Sequence, residues 1–66
     1  MGMTPAEKKR LERFNATVDT YAEYWRIGKM NEAEVVLAII RLINKERNPW
    51  VRYMMTGALT CLRLAM

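Results

Sequence analysis

Apolar positions fall into three stretches with helical spacing. In the first, Leu11, Phe14, Val18, Tyr21 and Trp25 follow one another in steps of 3, 4, 3 and 4. That is the narrow seam of a helix packing along one side, with polar residues such as Lys8, Glu12, Asp19 and Arg26 around the rest. It predicts a helix over about 5–27. In the second, Val35, Val36, Ile39, Ile40, Leu42 and Ile43 cover one wide face, with Glu34, Arg41 and Lys45 towards solvent. The β-branched content would suit a strand, but the length and the i, i+3, i+4 spacing favour a helix over about 32–46. Leu37 stands beside Arg41 on the polar side and is read as a contact residue.

The third stretch, about 49–65, is apolar on nearly every side. Its polar residues Arg52, Thr56, Thr60 and Arg63 share an arc of about 80° at about 100° per residue. Trp50, Val51, Tyr53, Met54, Met55, Leu59, Leu62 and Leu64 surround them, and the small Gly57, Ala58 and Cys61 leave room for a close helix crossing. Such a helix belongs in a large core, an interface or a membrane. Only the residues from Tyr53 to Leu62 lie between Arg52 and Arg63, short of the about 20 that a membrane span needs. Sixty-six residues do not make a large core. An interface remains.

Capping signals separate the stretches. Thr4 and Asn31 each precede a Glu by three positions, Glu7 and Glu34, the spacing of a reciprocal capping box. Met30 and Val35 have the spacing of a hydrophobic staple. Pro5 and Pro49 stand at first helical positions, where a missing N–H costs nothing. Gly28 suits the left-handed residue that ends a helix. Asn48-Pro49-Trp50-Val51-Arg52, followed by Ala58-Leu59 and Leu62, resembles the second helix of a HEAT-type repeat. The resemblance covers one helix without a second copy and implies only an antiparallel pairing of the second and third helices.

These elements predict an all-α, three-helix fold in a single domain over 1–66, with residues 1–3 expected to be disordered and Met1-Gly2 read as a cloning remnant. Helices 2 and 3 form an antiparallel hairpin. Helix 1 lays its seam across that hairpin or across a second subunit. Homo-oligomerisation is expected to complete the fold, because the apolar fraction of 52% exceeds the usual share for a small soluble domain.

Candidate chemistry is sparse. There is no His, and one Cys excludes an internal disulfide. No cofactor and no metal are expected, since no ligand cluster has zinc spacing. No Gly-rich phosphate loop is present. Cys61, among Ala58, Leu62 and Ala65, is expected to be a buried, inert thiol. Asp19 and Glu23 pair on what reads as a solvated helix face. No enzymatic activity is expected. With no secretory signal visible, the expected location is the reducing cytoplasm.

The net charge of +4 mainly serves solubility. The expected function is a non-enzymatic protein–protein interaction module that binds itself, as a homodimer or higher oligomer, and an unidentified protein partner. It would act as a regulator or inhibitor, of the kind phages and bacteria encode. The expected contact residues are Tyr24, Leu37, Trp50, Tyr53, Met54, Met55, Leu59 and Leu62. The alternative is a basic nucleic-acid accessory protein using Lys8, Lys9, Arg10 and Arg13 of helix 1 as phosphate contacts. Glu7, Glu12, Asp19 and Glu23 dilute that charge, and a solvated face accounts for it better.

Overall fold

Each helix begins where a side-chain oxygen takes up backbone N–H groups that have no partner within the helix. The computed structural model describes residues 2–66 and contains α1 (Pro5–Arg26), α2 (Glu32–Lys45) and α3 (Pro49–Ala65), with no strand among the described residues. Thr4 and Asn31 form complete capping boxes with Glu7 and Glu34. Asn48 Oδ1 accepts from the N–H groups of Trp50 and Val51. The helices match the expected bounds to within a residue; Ile27 and Glu46 turn out to be the C-caps of α1 and α2. After Ile27 the chain turns at Gly28, whose φ of +81° is easy only without a side chain. Tyr24 O accepts from the N–H groups of Lys29 and Met30 in this joint.

The three helices pack against one another in all three pairings. The helix of 22 residues sets the long dimension, 38 Å against 19 and 16 Å. The core holds Phe14 and Val18 from α1, Val35, Ile39 and Ile43 from α2, and Val51, Met55 and Leu59 from α3. The rest of the α1 seam, Leu11, Tyr21 and Trp25, is half-buried against it. Thus α1 lies on its own chain's α2 and α3. Of the N-terminal residues expected to be disordered, Met1 lies outside the described residues, Gly2 is exposed, and Met3 is half-buried against the core.

Ile40, expected within the wide inward face of α2, is instead 37% exposed. Only a helix stripe around Val35, Ile39 and Ile43 reaches the interior, and Ile40 lies beyond its edge. The polar break before α3 also conceals Glu46, which is buried.

Candidate interaction surfaces

Three faces divide α3. Val51, Met55 and Leu59 are buried, and Ala58, Leu62 and Met66 flank them half-buried. Arg52, Thr56, Thr60 and Arg63 form an exposed polar strip. The Thr56 and Thr60 hydroxyls donate to the carbonyls of Arg52 and Thr56, one turn back. Their hydrogen-bonding capacity is thereby partly spent within the helix itself.

The remaining face is an exposed stripe of Trp50, Tyr53, Met54, Gly57, Cys61 and Leu64. At about 100° per residue these positions share an arc of about 100°, turned about 140° from the centre of the core face. Trp50 is 60% exposed, Tyr53 72% and Leu64 84%. The Trp50 and Tyr53 rings stack with centroids 5.8 Å apart and planes 15° apart, forming one exposed aromatic platform. Beyond the platform the stripe narrows: a Cβ added at Gly57 would meet nothing within 4 Å. The Cys61 thiol opens on the same stripe. The expectation that Cys61 is buried is therefore corrected; its apolar sequence neighbours line other sides of the helix.

The residues expected to make contacts consequently separate. Trp50, Tyr53 and Met54 lie on the outer stripe. Met55 and Leu59 do not: both belong to the subunit's own core, because their helical phase matches that of Val51. Leu62 is half-buried beside them. Leu37, 53% exposed, shares an outer strip of α2 with Ala33, Ile40 and Asn44, positions spaced by four, three and four. Tyr24 sits at the α1–α2 joint, with Lys29 Nζ 5.0 Å from its ring centre and the Tyr21 ring tilted beside it. Ile40, Gly57, Cys61 and Leu64 were not among the expected contacts. Their spacing relative to Trp50 or Leu37 was the available signal, once the inward face was known.

A second surface lies where α1 meets the C-terminal end of α2. The groove there has a volume of about 470 Å³. Phe14, Leu42 and Met55 make its floor, while Arg10, Arg13, Lys45 and Arg47 stand around it. Arg10 Nε and Nη2 donate to the two Glu46 carboxylate oxygens at 2.9 and 3.0 Å. The Asn48 N–H also donates to Glu46, at 3.0 Å. The Arg10 guanidinium above all, then the backbone donor, holds the Glu46 carboxyl below its ordinary range, against the opposing effect of burial. Arg13, Lys45 and Arg47 are exposed and make no salt bridge among the described residues. Of the four alternative phosphate contacts, Lys8 and Lys9 are exposed on α1, Arg10 is held by Glu46, and Arg13 opens on the groove.

Among the described residues, no group of three or more His, Cys, Asp or Glu could hold a metal ion, and no helix is long and apolar enough to cross a membrane. No protein-family model, no curated protein and no solved structure matches this chain.

Proposed function

We propose that the chain is a small, non-enzymatic protein-interaction module that self-associates through the outer stripe of α3 and binds another protein in a reducing cytoplasm. The observation that carries this reading is the stripe itself: the Trp50–Tyr53 platform continuing into the open Gly57–Cys61 surface. Large exposed aromatics over small residues are what a closely approaching second helix covers, and aromatic residues dominate interface energetics. On this reading α2 and α3 form an antiparallel hairpin across the short joint between Lys45 and Pro49. The outer strips of both helices are then available to a second copy.

Sedimentation velocity tests the reading. The wild-type chain should sediment as a dimer or higher oligomer at tens of micromolar. Trp50→Ala with Tyr53→Ala should give a monomer of unchanged helicity, because both side chains lie outside the core. A monomeric wild type overturns the reading.

A further inference from the structure

We propose that the groove between α1 and the C-terminal end of α2 is the docking site for an acidic segment of a partner protein, one that carries an aromatic or large aliphatic side chain among its carboxylates. This inference rests on the reading of the chain as a protein-binding module and specifies the chemistry of what it binds. The groove is separate from the outer stripe of α3 and shares no lining residue with it.

Charge complementarity supplies the first support. Among the described residues, four cationic side chains line the groove against one carboxylate, Glu46. Both Glu46 oxygens are already engaged by Arg10. Arg13, Lys45 and Arg47 thus remain, among the described residues, as cations without a salt bridge around one depression. The fork of Arg10 on Glu46 also displays the contact the groove favours: a carboxylate gripped by a guanidinium at the edge of an apolar floor.

The floor decides between classes of polyanion. Half-buried Leu42, with the small exposed parts of Phe14 and Met55, provides an apolar surface against which a side chain can settle. A phosphate backbone would leave that surface uncovered. Single-stranded nucleic acid binds by stacking its bases on open aromatic faces, but Phe14 is only 4% exposed and presents no such face. A peptide that alternates carboxylates with an apolar anchor satisfies both rim and floor.

Fluorescence polarisation on the full chain provides the test. The probe is a labelled nonapeptide of aspartates and glutamates around one central phenylalanine. A serine replaces that phenylalanine in one control, and a thymidine oligonucleotide of equal charge is the other. The phenylalanine peptide should bind. Arg13→Ala, Lys45→Ala and Arg47→Ala together should weaken it by about tenfold, three rim charges acting in concert. The serine peptide should bind several-fold more weakly, and the oligonucleotide more weakly than either peptide. The three replaced side chains are exposed, so the variant should keep its circular dichroism. The single Arg13→Glu variant, which should also weaken the peptide, repeats the test with the other cations in place. No binding of the phenylalanine peptide, an unchanged affinity in both variants, equal affinity for the two peptides, or tighter binding of the oligonucleotide each overturns the proposal. Sedimentation of the same samples keeps the two readings apart. Lost peptide recognition in an intact oligomer overturns the groove alone, whereas a monomeric wild type that still binds the peptide overturns the stripe alone.

Discussion

Arg10 and Glu46, 36 positions apart in sequence, close a two-pronged ion pair that ties the second turn of α1 to the end of α2. One turn earlier, Asn48 Nδ2 donates to the Glu7 carboxylate, so that the caps of α1 and α3 also meet. The first two turns of α1 therefore hold the α2–α3 joint from the side. This clamp places Lys45 and Arg47 next to Arg13 and makes one groove of them.

The two halves of the ion pair should not be equally sensitive. The Glu46 side chain is 3% exposed, while that of Arg10 is 46% exposed. Removing Arg10 leaves a covered carboxylate without its guanidinium; replacing Glu46 with Gln leaves a neutral group and a cation that water can reach. Arg10→Ala should lower Tm by roughly 4–8 °C, and Glu46→Gln by less. Thermal unfolding followed by circular dichroism checks the order. The reverse order would mean that the carboxylate is solvated in solution.

Both carboxylates at the clamp favour their charged forms in the folded chain. Glu7 is held below its ordinary value of 4.5, first by the Thr4 N–H and then by Asn48, and Glu46 chiefly by Arg10. The folded carboxylates thus release protons at a lower pH than the unfolded ones. Their contribution is complete above pH 4.5, the unfolded value, and is lost as the pH falls through the folded values below it. Tm should accordingly stay level from neutral pH down to about 5 and drop below about 4.5. In Glu46→Gln the acid drop should be shallower. A Tm that is flat below 4.5, or equally steep in the variant, would contradict the clamp.

Much of this fold was legible because its signals are local. As caps, Thr4, Asn31 and Asn48 accept from N–H groups within three residues of themselves, and the Leu11–Trp25 seam lies along a single helix. The functional surfaces were harder to read for a physical reason. Periodicity identifies an inward face only by contrast with a polar one, and α3 offers little contrast. It cannot distinguish Met54 from Met55, although one lies outside and the other 4% exposed in the core. Glu46 looked like loop polarity because its partner is a helix away in sequence. Cys61 looked buried because its neighbours are apolar, yet those neighbours point elsewhere.

Asn48 should matter more than the other capping Asn. The Asn31 side chain accepts from Glu34 alone, within its own helix. Asn48 accepts from Trp50 and Val51 and also donates to Glu7, 41 positions away. Asn31→Ala should cost about 1 kcal/mol, the usual loss of a cap, and Asn48→Ala about 2 kcal/mol. Urea titrations of the two variants would show the difference as a lower midpoint for Asn48→Ala. Equal midpoints would place the Asn48–Glu7 contact outside the solution structure.

Gly57 separates what the fold needs from what the proposed interface needs. It sits in mid-helix with ordinary helical φ, and an added methyl would meet nothing within its own subunit. For an isolated subunit, Gly57→Ala therefore removes backbone freedom from the unfolded chain without a clash. It should stabilise the helix by about 0.5–1 kcal/mol. A second helix crossing closely over Gly57 would instead meet the methyl group, and Gly57→Leu would obstruct it altogether. The two effects oppose each other and are read by different instruments. Tm measured at low concentration, where monomer prevails, should rise in Gly57→Ala, while the sedimentation midpoint for self-association should move to higher protein concentration. Gly57→Leu should be a folded monomer. Unchanged self-association in Gly57→Leu would show that α3 does not meet its partner across this stripe, whatever the oligomeric state of the chain.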